Sequence, residues 1–248
     1  MKNTFKTYDL LADVYELWST GDSAYNASFK FYVSQLKNME SPIVELGIGT
    51  GRIAFELSLR YHKKIIGIDE SARMLEIVQS KYRDRHMEEY IELYREDIAS
   101  FSLVNKANAI YLPFRTIGHL LKRNEVYELF RRVYDNLNPQ GYFIFDHYIF
   151  YEKWAKEHNK QRIRMYAGDE LLIEDYYDYD FKKQIMNCRI YVNDEEKSHF
   201  FFSYQQPEYY LELLDKTGFT VKQMYGDFDC TPFDEDACDQ IYICQRNR

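Results

Sequence analysis

Three glycines alternate with other residues in VELGIGTGRI, residues 44–53: Gly47, Gly49 and Gly51. An apolar run precedes them and a helix-forming run follows. Glycines in such a turn let a ligand approach the backbone closely. A dinucleotide turn has the spacing Gly-x-Gly-x-x-Gly. Here the third glycine comes one residue early, and Arg52 stands where the dinucleotide turn has glycine. The phosphate-binding lysine of a P-loop is absent as well. Asp69 ends the next apolar run, where a carboxylate can accept both hydroxyls of a ribose. Asp97, in REDI, can accept from an adenine amine, and Met74 and Ile98 can sandwich the ring.

The bulk numbers narrow the partner. The 248 residues carry 32 basic and 40 acidic side chains, a net charge of −8. Nucleic-acid binding needs a positive footprint, which this balance disfavours. Lys122-Arg123 and Arg131-Arg132 read as solvated helix faces. The first residues, MKNTFKTYDLL, lack the apolar core of a secretory signal. No stretch reaches the ~18 apolar residues of a membrane span. A soluble, cytoplasmic protein without nucleic-acid or membrane partners is expected, its four cysteines free and reduced. The 24 tyrosines are open to two readings, β-propensity or the lining of a pocket for a cation.

The elements that must position these residues follow from periodicity. Residues 8–38 are helical, broken by Gly21-Asp22-Ser23. Then strand and helix alternate: PIVELG, a helix through Leu57, KKIIGID, and a helix capped by Ser71. YIELYRED, ANAIYLPF, the helix RNEVYELFRRVYDNL and GYFIFDHY continue the pattern. Alternation predicts a mostly parallel sheet with helices on both faces. From 162 to 205 four strands follow one another, an antiparallel insertion (residues 151–206) within a single domain of residues 1–248. PEYYLELLDKTG is a helix, and FTVKQMYGD and DQIYICQR complete the sheet. Within IEDYYDYD, Asp175, Tyr177 and Tyr179 share one face; Glu174, Tyr176, Asp178 and Asp180 share the other. Either face sets aromatic rings beside carboxylate, a combination suited to a cation.

These motifs resemble the class I S-adenosylmethionine-dependent methyltransferases. VELGIGTGRIAFELS, IIGIDESARML and REDIASF resemble their first three motifs; AIYLPFRTIGHLL and LNPQGYFIFD resemble the fourth and fifth. The resemblance implies a Rossmann-like α/β fold. Its seven strands take the order 3-2-1-4-5-7-6, the seventh antiparallel, with the insertion between strands 5 and 6. Gln140 departs from the pattern, which usually has glycine there.

The resemblance further implies S-adenosyl-L-methionine as methyl donor, held by Glu45, Gly47, Gly49, Gly51 and Arg52. Asp69, Glu70, Met74, Asp97, Ile98 and Leu112 continue the implied cofactor set. YDLLADVYELW resembles the N-terminal segment of the small-molecule branch, which includes amino-sugar N-methyltransferases; Tyr8, Tyr15 and Tyr25 are its candidates to close over the methionine end. FRTIGHL resembles the loop where that branch has a histidine beside the acceptor. His119 is thereby the expected base, with His147 in reserve. Tyr8, Arg115, His147, Asp175 and Tyr177 are the expected acceptor contacts, and no metal is required.

An amine is the expected acceptor, a phenol or acid the alternative. The glycine spacing opposes a nicotinamide oxidoreductase, and intact cofactor motifs oppose a non-catalytic scaffold. LPFR stands where base-methylating enzymes carry Asn/Asp-Pro-Pro-Tyr. The tyrosine-rich insertion also offers a surface for a homodimer.

Overall fold

The structure is a computed structural model and describes residues 6–247. Three short helices open the chain: α1 (Lys6–Leu11), α2 (Tyr15–Ser19) and α3 (Tyr25–Leu36). The sequence pattern predicts one helix before Gly21, and the chain makes two. The turn between them closes with Val14 N–H on the Leu11 carbonyl, 2.9 Å. It lets Leu11 pack in one apolar cluster while Tyr15 and Trp18 face a cavity described below.

The alternating part follows as β1 (Ile43–Leu46), α4 (Arg52–Tyr61), β2 (Ile65–Asp69), α5 (Ala72–Arg83), β3 (Ile91–Arg95), β4 (Ala107–Leu112), α6 (Arg123–Asn136) and β5 (Leu137–Tyr148). Ser71 caps α5, accepting from Met74 N–H at 3.1 Å. β1 is buried at every position, as a central parallel strand must be. It pairs in parallel with β2 and β4. β5 starts before Pro139 and Gly141, with an irregular register against β4. Gln140, in the glycine position, has φ 66°, the left-handed conformation that makes glycine usual there.

After β5 come α7 (Glu152–His158), which the sequence reading lacks, and the strands β6 (Arg162–Ala167), β7 (Leu172–Asp180), β8 (Ile185–Val192) and β9 (Glu195–Ser203). They form a separate antiparallel sheet in sequential order. α8 (Pro207–Thr217), β10 (Phe219–Tyr225) and β11 (Asp239–Arg246) return to the large sheet. Its order is β3-β2-β1-β4-β5-β11-β10, the expected 3-2-1-4-5-7-6 when its own strands are counted. β11 runs antiparallel to both neighbours. Among the described residues, no helix is long and apolar enough to cross a membrane.

Each face of the large sheet buries an apolar layer. One holds Phe31, Leu57 and Val78 from α3, α4 and α5; the other holds Leu129, Phe130 and Leu213 from α6 and α8. The small sheet has its own cluster, Ile173, Cys188, Ile190, Phe200 and Phe202, into which Leu11 inserts. Contacts of Ser203 and Phe202 help to dock it on the body. Ser203 Oγ donates to the carbonyls of Gly118 and Leu120, 3.2 and 3.1 Å. Gly118 lies so close to the Phe202 ring that an added Cβ would come within 2.3 Å of it.

Asp146, fully buried near the end of β5, fixes the loop after β4. It accepts from Phe114 N–H (2.8 Å), Arg115 N–H (2.9 Å) and the Tyr32 hydroxyl (2.5 Å). Phe114 and Arg115 both have positive φ, 54° and 62°, so this loop needs an outside tie to keep its shape. Asp146→Ala strands two backbone donors and should cost about 3 kcal/mol of stability in urea unfolding. A loss below about 1 kcal/mol would show that the loop holds itself.

Candidate active site

A cavity of about 850 Å³ opens beyond the carboxyl ends of β1 and β2, where ligands of open α/β sheets bind. The large sheet forms its floor, the small sheet its roof, and α1 and α2 one wall. Gly47, Gly49, Asp69, Glu70, Met74 and Ile98 line one end. Gly47, Gly49 and Gly51 all have positive φ, 66°, 55° and 73°. A Cβ on Gly49 would meet nothing closer than ordinary contact, its nearest neighbour being the Tyr15 ring at 3.9 Å. The bare backbone there leaves the room a ligand needs. Asp69 holds the turn in shape: Oδ2 accepts from Gly49 N–H at 2.8 Å and Oδ1 from Ser71 N–H at 2.9 Å. Burial pushes its carboxyl above the usual range, against these bonds.

Six of the expected cofactor residues lie outside this lining. Gly51 caps α4, and its Cα position faces Val78, with 3.0 Å for a Cβ. It serves helix packing. Arg52 lies 3.7 Å over the Tyr25 ring and donates to the Tyr25 carbonyl at 2.5 Å. This pair staples α3 to α4, which takes both residues away from the cavity. Asp97 accepts from Ala99 N–H at 2.8 Å, capping its own turn. Leu112 belongs to the apolar layer with Phe130 and Phe145. Glu45 lies beneath the turn, 2% exposed, accepting from the Tyr111 hydroxyl at 2.7 Å. Burial raises its pKa to about 8.

The wall is tied to the turn from outside. Glu16 accepts from Thr50 Oγ1 (2.8 Å) and Lys81 Nζ (2.6 Å). Asp9 accepts from Ser71 Oγ (2.5 Å) and Arg73 N–H (3.1 Å). Inward, α1 and α2 present Tyr8, Tyr15 and Trp18. Tyr8 stacks on Phe200 of β9, and its hydroxyl lies 2.9 Å from His119 Nε2. His119 ends a one-turn helix, Thr116–His119, and also bonds the Phe201 backbone. The edges of Phe200 and Phe202 surround its ring. Burial, with His147 nearby, pushes it down to about 4, so it is neutral at pH 7.

His147 does not reach the cavity. It is fully buried, with one ring nitrogen 2.9 Å from the Ser203 carbonyl and the other 3.1 Å from that of Tyr148. The side chain joins β5 to the small sheet. Arg115 does line the cavity, and its two terminal guanidinium nitrogens already face acids. It pairs with Asp22 and, at 3.3 Å, with Asp239, and these acids raise its pKa.

From the roof, β7 turns Asp175, Tyr177 and Tyr179 inward. Asp178 faces outward toward Lys160, 3.9 Å away. Asp175 is 1% exposed. It accepts from Trp18 Nε1 at 2.7 Å through Oδ1 and from the Tyr177 hydroxyl at 2.8 Å through Oδ2. Burial pushes its carboxyl up to about 7. Sequence periodicity found the face but not Trp18, whose tie to Asp175 spans 157 positions.

The first end of the cavity fits S-adenosyl-L-methionine. It combines an uncrowded glycine turn at Gly49, a carboxylate at Asp69 for the ribose hydroxyls, and the apolar Met74 and Ile98 for a base. When bound, this cofactor supplies a methyl group carried on a sulfonium.

Asp69→Ala should weaken S-adenosylhomocysteine by about 1–3 kcal/mol in calorimetry, the span for bonds to a charged group. Unchanged affinity would remove Asp69 from the site. Glu45 makes a pH prediction. Its folded pKa, about 8, lies above the ordinary 4.5, so between these values the native state holds a proton that the unfolded chain has lost. Stability contributed by that proton is full at low pH and falls as pH rises through this window. Glu45→Gln, which does not titrate, should gain stability relative to wild type from pH 5 to 8, read as a growing difference in Tm. A constant difference would contradict the shift.

Residues 43–141 match the family described as a methyltransferase domain. Carboxy-S-adenosyl-L-methionine synthase of Campylobacter jejuni (strain 81-176) is 24% identical over 212 residues, 81% of this chain and 83% of that protein. In fold, the chain is similar to the CcbJ methyltransferase of Streptomyces caelestis, with TM-score 0.83, 20% identity and 98% of each chain covered. It is similar also to CalS10 of Micromonospora echinaspora, an amino pentose methyltransferase, with TM-score 0.66, 15% identity, and 94% and 97% covered. The sheet order and the glycine turn agree with the match of residues 43–141 to a methyltransferase domain, and the fold is that of S-adenosylmethionine-dependent methyltransferases.

Proposed function

We propose that the chain methylates the nitrogen of a compact, small-molecule amine enclosed beneath the small sheet. The observation that carries this reading is the buried Asp175 carboxylate, set among Trp18 and Tyr177 on the cavity wall. A carboxylate in an aromatic cage favours a cation. Attraction over each ring adds about 0.5–2 kcal/mol, depending on solvation. The rest of the lining agrees in sign. Asp22, Asp69, Glu70, Glu235 and Asp236 are acidic, and Arg115 is the one Lys or Arg on the lining among the described residues. A carboxylated ligand would need a cation to spare, and Arg115 already faces Asp22 and Asp239. This opposes carrying over the activity named for the Campylobacter relative. The fold likeness to an amino pentose methyltransferase is consistent with an amine.

The chain's own residues would do four things. Asp69 and the glycine turn hold the donor. The rings of Tyr8, Phe200 and Phe202 exclude water from the reacting groups. The walls keep donor and acceptor in attacking geometry, which alone can supply much of the acceleration. Tyr hydroxyls and carboxylates stabilise positive charge as it develops on nitrogen.

The test is a panel of amino sugars, small amines, phenols and carboxylic acids, each assayed for release of S-adenosylhomocysteine. Turnover should concentrate on the amines. Turnover confined to phenols or acids would replace this reading with O-methylation.

A further inference from the structure

Resting on the amine reading above, we propose that Asp175 accepts the proton which the bound ammonium must lose before its nitrogen can attack. In this step an N–H bond breaks and its electron pair stays on nitrogen. An O–H bond forms on an Asp175 oxygen, and the proton later passes to solvent. The nitrogen is left with a free lone pair and the carboxyl is neutral.

The geometry favours Asp175 over His119. An ionised carboxylate has about four acceptor sites. Asp175 uses one site on each oxygen, for Trp18 and for Tyr177, and both donors hold it at the cavity wall. His119 has two ring nitrogens; Nε2 meets the Tyr8 hydroxyl at 2.9 Å, and the ring also bonds the Phe201 backbone. Basicity points the same way. A base works best with a pKa near the working pH. Asp175 is raised to about 7, whereas His119 is lowered to about 4.

Burial also eases the transfer itself. Desolvation raises a carboxyl and lowers an ammonium, because each then prefers its neutral form. The ion pair is costly in a dry site, and proton transfer removes both charges at once.

The groups facing Asp175 do not compete for the proton. Tyr177 and Tyr179 on β7, Cys188 on β8 and Tyr8 on α1 are all held protonated by burial. β6 and β9 contribute Ile163, Met165 and Phe200 to the lining, none of which titrates. Asp22, after α2, is a carboxylate, and it pairs with Arg115.

The experiment follows kcat/KM across pH for wild type and Asp175→Asn, using the best amine of the panel. Wild type, which binds the ammonium, should stay level from about pH 7 to the amine's own pKa. Asp175→Asn can use only free amine. Its kcat/KM should climb about tenfold per pH unit, starting about 10²-fold below wild type near pH 8. A loss of the same factor at every pH would make Asp175 an anchor only, and no loss would remove it from the reaction. Turnover of phenols or acids alone would instead overturn the amine reading.

A second measurement needs no turnover. In Trp154→Phe protein the remaining Trp18 donates to Asp175, so its fluorescence should inflect near pH 7 and the inflection should vanish when Asp175→Asn is added. A titration without an Asp175-dependent inflection would overturn the proposal. Tyr177→Phe covers the case in which Asp175→Asn does not fold. It removes a donor that favours the charged form, so the acidic limb of kcat/KM should move to higher pH. An unmoved limb counts against Asp175.

Discussion

The carboxyl edge of the large sheet buries more acid than it has cation to match. Glu45 and Asp69 lie at the ends of β1 and β2, Asp146 near the end of β5, and Asp239 at the start of antiparallel β11, on the same edge. A buried carboxylate costs several kcal/mol unless it is paired, hydrogen-bonded or protonated. Each finds a different remedy. Asp69 takes backbone N–H groups of Gly49 and Ser71. Asp146 takes those of Phe114 and Arg115. Asp239 takes the Arg115 guanidinium, and Glu45 keeps its proton at neutral pH. Since most donors are loop backbone, a loop that shifts leaves an acid unsatisfied. The glycine turn and the loop after β4 are held in shape by that penalty.

This arrangement also sets the sign of the cavity. Arg115 is drawn between Asp22 and Asp239, with Asp146 below its backbone, so its charge is used within the protein. What remains facing the cavity is acidic. A sulfonium and an ammonium are both cations, and an acidic, aromatic wall suits either one. The roof contributes the most deeply buried of these acids, Asp175. Nothing in the large sheet neutralises it; its partners are an indole N–H and a phenol hydroxyl. Neutral donors leave a carboxyl basic, where a guanidinium would have held it ionised well below neutral pH.

The alternation of strand and helix was legible because periodicity is local in sequence; the order of the strands came from the resemblance that the local motifs carry. The glycine turn, Asp69, Met74 and Ile98 lie within such motifs and do line the cavity. Alternation likewise put Asp175, Tyr177 and Tyr179 on one face. Asp97 and His147 lie outside the cavity lining, for opposite reasons. Asp97 sits two residues before an N–H that its own side chain can reach, a local competitor that the spacing Asp-Ile-Ala already contains. His147 is claimed by Ser203, 56 positions away, and no local pattern signals that. Asp146 and Trp18 were missed for the same cause. Asp146 finds its partners in the loop after β4 and on α3, Trp18 its partner where α2 meets the small sheet, all far away in sequence. The helix α7 is short, and its sequence, EKWAKEH, carries little apolar periodicity.

The segment that joins the two halves of the cavity is held on both of its sides. On the outside, α1 and α2 are tied by pairs such as Arg73–Asp13 and Lys81–Glu16, all at least about one-third exposed. Such pairs are worth about 0–1 kcal/mol each. On the inside, Tyr8, Tyr15 and Trp18 touch the roof, the glycine turn and one another through rings and two hydrogen bonds. The sheets beneath and above are closed by full ladders and buried clusters. The same residues that would cover the donor also hold Asp175 in place, through Trp18. Displacing this wall thus opens the glycine turn and loosens the acid together, which couples the two halves of the site through one short stretch of chain.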